Sequence, residues 1–267
     1  MLSAGFMDGA TAAGLMDFRE GHGGTLSGMT RYTDHLDDMP AVGYAIASLG
    51  ADRIDQYLLL LHGHMANYQG RGSWFSDEQQ SLYQNETHLA WRASIGNLQA
   101  SFCTPSQTLA ASMTAMQFVS TERDNATIWL ARAAPRRWYD PAAANEHGVM
   151  LGAQRAPSRW GTVSFNISAP QAHGGGDVVV ALALNFSAPA GGRAHKPTLM
   201  VRVRDPNGGN ATIAGATVSD PGTADCVVVQ TLPVAELVVV RPTPSAAASG
   251  LVSRCELSVR FERTPRQ

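Results

Sequence analysis

The stretch WGTVSFNIS, Trp160–Ser168, places Val163, Phe165 and Ile167 at every second position, with Thr162, Ser164 and Asn166 between them. A period of two marks a strand with one buried face. Downstream the pattern returns in DVVVALALNFS (Asp177–Ser187), TLMVRVRD (Thr198–Asp205), ATIAGATVS (Ala211–Ser219), CVVVQTL (Cys226–Leu232), AELVVVRP (Ala235–Pro242) and RCELSVRFER (Arg254–Arg263). Val, Leu and Thr dominate these runs, and GGG, PAGG, DPNGGN and DPG separate them. Strands at this spacing with glycine-rich turns predict an antiparallel β-sandwich over residues 141–267.

Upstream of WYDPAAANEHG the period is that of helices, and residues 1–140 read as a helical-hairpin domain. In DDMPAVGYAIASLG, Asp37 and Asp38 precede Pro40 at a helix start, Val42, Ile46 and Leu49 share a face, and Gly50 ends it. The next run, ADRIDQYLLLLHGHMANYQG, sets Ile54, Leu58, Leu61, Met65 and Tyr68 on one stripe before Gly70. In TPSQTLAASMTAMQFVSTERD, Thr104, Pro105 and Gln107 form a capping box ahead of Leu109, Met113 and Met116. NATIWLARAAP is expected to add a short helix ending before Pro135.

The 267 residues are 44% hydrophobic and 16% charged with a formal net charge of -2. That balance describes a globular protein and argues against a nucleic-acid or anionic-membrane partner. No apolar run approaches the ~20 residues of a membrane span, and MLSAGFMDGATAAG lacks the basic start and apolar core of a signal peptide. Five N-x-S/T triplets begin at Asn85, Asn125, Asn166, Asn185 and Asn210, where about one is expected by chance. This excess predicts a glycosylated, extracellular or secretory-pathway protein, and with it a start of the chain that is missing here. Cys103, Cys226 and Cys255 are an odd set, in which Cys226 and Cys255 could bridge neighbouring strands.

The runs GGTLSGMTRYTDHLDDMPAVGYAIASLGADRIDQYLLLLHGHMANYQGRGSWFSDEQQSLY, FCTPSQTLAASMTAMQFVSTERDNATIWLARAAPRRWYD and RAPSRWGTVSF together resemble the C-terminal portion of six-hairpin glycosidases, over residues 20–170. The resemblance implies an (α/α)6 toroid, here partial, followed by a β-sandwich, and glycosidic-bond hydrolysis by paired carboxylates without a cofactor. A hairpin with its loops takes about 35 residues, so the helical half has room for three or four. The missing hairpins then lie in an absent N-terminal helical half, or an open half-ring pairs with another chain.

Candidate site residues cluster twice. RGSWFSDEQQSLYQNET, Arg71–Thr87, offers Trp74 and Phe75 as sugar platforms, Arg71 and Gln79 as hydroxyl partners, and Glu78 as the acid. Glu78 has a plainer alternative as a first-turn acid of a short helix. TDHLDD supplies Asp34 and Asp38 as a second carboxylate and His35 as a sugar contact, with helix capping by Asp37 or Asp38 as the competing explanation. His62 and His64 stand at i and i+2, which on a helix point apart, so no metal site is expected. Cys103 reads as a buried thiol, and Arg136, Arg137 and Trp138, like Arg159 and Trp160, as stacked docking groups. Two functions remain open: a glycoside hydrolase-like protein, or a non-catalytic carbohydrate-binding or structural module.

Overall fold

The computed structural model describes residues 9–33, 35–67, 79–82, 104–121, 126–169, 177–186, 197–206, 211–219, 221, 225–243 and 253–263. The chain divides into two compact units, Met1–Thr114 and Ala115–Gln267. Strands dominate. Among the described residues there are four α-helices and fourteen strands, which rules out the (α/α) toroid and, with it, the six-hairpin glycosidase resemblance and the fold class drawn from it.

The first unit shows why. Helix α1 (Gly9–Gly21) is followed by three short strands, β1 (Thr25–Leu26), β2 (Met29–Arg31) and β3 (His35–Asp37), then α2 (Ala41–Gly50), α3 (Ile54–Asn67), β4 (Gln79–Ser81) and α4 (Thr104–Phe118), within which the division between the units falls. The strands form an antiparallel sheet in the order β1-β2-β3-β4. Its first turn is Ser27–Gly28, both with positive φ, 51° and 77°. This is the backbone of a two-residue hairpin turn whose twist matches that of the strands.

Helix α3 lies against that turn through two glycines. A Cβ on Gly63 would run into the Ser27 carbonyl oxygen, and one on Gly28 would run into the α3 backbone at Leu59 and Leu60. The buried side of α3 is Ile54, Tyr57, Leu60, Leu61 and His64, whereas Met65 is exposed. In α2 the small residues Ala41, Ala45 and Ser48 turn inward with Tyr44 and Leu49, and the expected face of Val42 and Ile46 is partly exposed. Tyr57 ties α3 to α4 by donating its hydroxyl to the Met113 carbonyl at 2.5 Å.

The second unit is a two-sheet sandwich. One sheet has the order β12-β13-β10-β6-β5, made from β5 (Val119–Thr121), β6 (Thr127–Leu130), β10 (Thr198–Arg202), β12 (Cys226–Leu232) and β13 (Leu237–Pro242). It is mixed, because β10 runs parallel to β6. The other sheet, wholly antiparallel, has the order β11-β14-β9-β8-β7, from β7 (Val149–Ser158), β8 (Gly161–Ser168), β9 (Val178–Phe186), β11 (Ala211–Val218) and β14 (Ser253–Arg263). Ile128, Leu199, Val201 and Val240 of the first sheet share one core with Phe165, Ile167, Leu182 and Leu257 of the second. Each such side chain contributes about 1.5–3 kcal/mol by leaving water.

One local expectation gives way here, and another is met with a difference in placement. NATIWLARAAP is not helical: Thr127–Leu130 is the strand β6, consistent with Thr, Ile and Trp being strand formers. Ala131 then takes a left-handed φ of 55° and turns the chain toward a 3-10 helix at Arg136–Tyr139. Cys226 and Cys255 form a disulfide, but not between neighbouring strands: it joins the edge strand β12 of one sheet to β14 of the other, with Cα atoms 5.8 Å apart. Arg136 pairs in two-pronged fashion with Glu236 at 2.6 and 3.0 Å, and Trp138 stacks on Phe118.

Candidate binding groove on the outer sheet face

The alternation that buries one face of the antiparallel five-stranded sheet also builds the other. With Val163, Phe165 and Ile167 of β8 turned inward, Ser164 and Asn166 turn outward. On β9, Leu182 and Leu184 are buried and Ala181 and Ala183 face out; on β14, Cys255 and Leu257 are buried and Arg254 and Glu256 face out. Register then aligns these outward residues in two rows across the strands. One row is Ser164, Ala183 and Arg254, and the next is Asn166, Ala181 and Glu256.

The middle strand thus carries only methyl groups between longer polar side chains, which leaves a trough along β9. The fourth strand closes one side. Between Ala153 and Ala156 the β7–β8 register slips at a bulge, where Arg155 adopts a left-handed φ of 52° and donates its backbone N–H to Ser164 Oγ at 2.9 Å. A bulge re-aims the side chains it carries, and here Gln154 and Arg155 line the groove. A left-handed conformation costs a non-glycine residue on the order of 1 kcal/mol and is held only where the surroundings fix it.

Asp225 anchors the opposite side. Its backbone N–H donates to the Arg254 carbonyl at 3.2 Å, and its Oδ2 accepts the Arg254 N–H at 2.9 Å. Together with the neighbouring disulfide, this fixes the strand position from which Arg254 projects. The cleft so formed has a volume of about 610 Å³, within the range of ligand sites, ~300–1,000 Å³. Glu256 is the one acid among its described lining residues, whereas glycosidic hydrolysis by a carboxylate pair needs two at a defined separation.

A smaller cleft, about 320 Å³, lies in the first unit and is lined by residues that include Glu20, Tyr44, Asp55 and Gln56. Glu20 accepts a hydrogen bond from the Tyr44 hydroxyl, and the Arg19 guanidinium sits 5.0 Å from the Tyr44 ring centre. Burial, then the Glu20 carboxylate, raises the Tyr44 pKa well above the usual phenol range. Neither cleft was visible as a motif; the signal for the larger one was the run of outward small residues in VALALN flanked by charged alternation in RCELSVR.

Of the residues expected to form the site, His35, Asp38 and Gln79 are among the described residues. Asp34, Arg71, Trp74, Phe75 and Glu78 lie outside the described residues, as do the acceptor asparagines Asn85, Asn125 and Asn210. Gln79 pairs with Asp37 through the backbones of β4 and β3, and His35 stacks on Tyr32 with ring centres 4.8 Å apart. Asp38 faces inward and is 2% exposed. Its Oδ1 accepts the Ser106 hydroxyl at 2.7 Å, and its Oδ2 stands 3.4 Å from Nδ1 of the equally buried His64. His62, by contrast, is exposed. Among the described residues no three His, Cys, Asp or Glu side chains are placed to hold a metal ion. Asn166 and Asn185 both face outward on the grooved sheet. Comparison with protein-family models, with curated proteins and with solved structures finds no match for the chain, so the groove is read from its own geometry.

Proposed function

We propose that the chain is a non-catalytic carbohydrate-binding module whose ligand lies in the trough along β9. The observation that carries this reading is the arrangement of the trough: an alanine floor between Arg254 and Glu256 on one side and Ser164, Asn166, Gln154 and Arg155 on the other. A sugar presents C–H faces and clustered hydroxyls, so it suits a small apolar floor flanked by side chains that donate and accept hydrogen bonds. Hydrogen bonds to charged groups are worth about 1.5–3 kcal/mol each. Two arginines and one carboxylate can therefore set specificity without chemistry.

The module works in an oxidising compartment, extracellular or in the secretory pathway. The Cys226–Cys255 disulfide and the N-x-S/T triplets support that location. No helix among the described residues is long and apolar enough to cross a membrane. The test is a screen of the unglycosylated full chain against immobilised neutral and acidic oligosaccharides. Binding is expected, with a loss of tenfold or more, about 1.4 kcal/mol, in Arg254→Ala and in Ala183→Trp, which fills the trough. Absence of binding, or binding that neither substitution weakens, overturns the reading.

A further inference from the structure

The groove contains a residue of a second kind. Asn166 lines the trough and also begins the triplet Asn166-Ile167-Ser168, an acceptor for N-linked glycan. On β8, Ile167 is fully buried while Asn166 and Ser168 share the outer face. Its cross-strand neighbour on one side is Ala181, part of the trough floor. On the other side it is Gly152, where a Cβ would collide with the Asn166 amide oxygen. The missing side chain at Gly152 is what lets the Asn166 amide lie across β7.

Asn185 provides the internal contrast. It stands on the same sheet face, in an exposed position opposite Thr162, but it is not among the residues lining the trough. A glycan there leaves from the rim of the sheet, whereas one on Asn166 begins inside the groove.

We infer that Asn166 carries an N-linked glycan whose innermost sugars occupy the trough, so that the glycosylated chain fills its own binding site. This rests on the carbohydrate reading of the groove and adds its regulation: chains lacking the Asn166 glycan are open to external sugar, and chains bearing it are closed. The effective concentration of a tethered group on a short link is about millimolar. A groove that binds free sugar about tenfold tighter than that is therefore about nine-tenths occupied by the attached one. Attachment takes place on the extended chain, before β8 is enclosed in the sheet, so its partial burial in the fold is no obstacle.

The probe is N,N′-diacetylchitobiose, the disaccharide common to the root of N-linked glycans. The full chain is secreted from a eukaryotic host beside two variants, Ser168→Ala and Ser187→Ala. Each removes one acceptor triplet and leaves its asparagine in place. Glycopeptide mass spectrometry reads occupancy, and saturation-transfer NMR reads binding of free chitobiose.

The expected result is a modified Asn166, with a chitobiose signal at least fivefold stronger for Ser168→Ala than for the unaltered chain or Ser187→Ala. An unmodified Asn166 overturns the inference and leaves the groove reading standing. Equal chitobiose signals in all three proteins, with Asn166 modified, do the same. Asn166 modified and no chitobiose signal in any form also overturns it; the wider oligosaccharide screen then decides the groove separately.

Discussion

Gly63 has no room for a side chain, and this small fact organises the first unit. The Ser27 carbonyl occupies the place where its Cβ would stand, so α3 and the Ser27–Gly28 turn meet backbone to backbone. Gly63→Ala is expected to cost about 1–3 kcal/mol, the usual penalty of overpacking. A urea melt with a midpoint unchanged from the parent would contradict it. The glycine in HGH was readable only as a weak helix former, because its partner at Ser27 is distant in sequence. Asp38 carries the same lesson. As the last acid of TDHLDD it looked like a cap or a cleft carboxylate, yet Asp37 accepts the local N–H of Met39 at 2.8 Å while Asp38 turns inward to Ser106 and His64. Both acids are buried, and which partner each meets there depends on residues brought near by folding, which no local pattern contains.

Among the elements, the period-two runs were the most legible, since the burial of Val163, Phe165 and Ile167 is their own alternation made solid. The helical-hairpin reading of residues 1–140 misled in two places. In TLSGMTR the Ser-Gly pair between short flanks is a hairpin signal, but the flanks are only two and three residues long, too short to show a period. In NATIWLARAAP, Ile128, Trp129 and Leu130 favour a strand locally, yet the decisive partner is β10, which pairs with β6 in parallel from far along the chain. The 3-10 helix at Arg136–Tyr139 is tied to β10 by Tyr139 Oη, which donates to the Arg202 carbonyl at 2.8 Å. Burial raises the Tyr139 pKa well above its ordinary value of 10.0. The fold therefore favours the neutral phenol: that stability is fully present below about pH 10 and is lost as pH rises through the folded-state value. Tyr139→Phe is expected to lower stability by about 1 kcal/mol at pH 7 and to flatten the alkaline decline. Parallel decline of Tm between pH 9 and 12 in the two proteins would contradict it.

At the scale of the molecule, the second unit is two sheets clamped at one corner. The disulfide spans 29 positions, and loop-closure entropy for that span corresponds to about 3.5 kcal/mol. Cys226→Ser with Cys255→Ala is expected to destabilise this unit by roughly 2–5 kcal/mol. Arg254 and Glu256 flank Cys255 on β14, so sugar affinity is expected to fall as well. A double variant with parental stability would show that the sheets do not depend on the bridge. The pairing of these cysteines was legible as the one that strands could make. That it crosses between sheets was not, because the strand order places β11 and β14 with β9 and β12 with β13, and sequence order alone does not specify which sheet a strand joins. The groove was hidden for the same reason: its rows come from register among β8, β9 and β14, and β14 joins the other two from far along the chain.

Amide chemical-shift mapping of the ¹⁵N-labelled, unglycosylated full chain, titrated with the oligosaccharide that binds best in the screen, tests the groove most directly. Saturable shifts centred on Ser164, Asn166, Ala181, Ala183, Arg254 and Glu256, and lost in Ala183→Trp, are the predicted result. Shifts centred instead on Glu20, Tyr44 and Asp55, or a titration that moves no amide of the second unit, would contradict it.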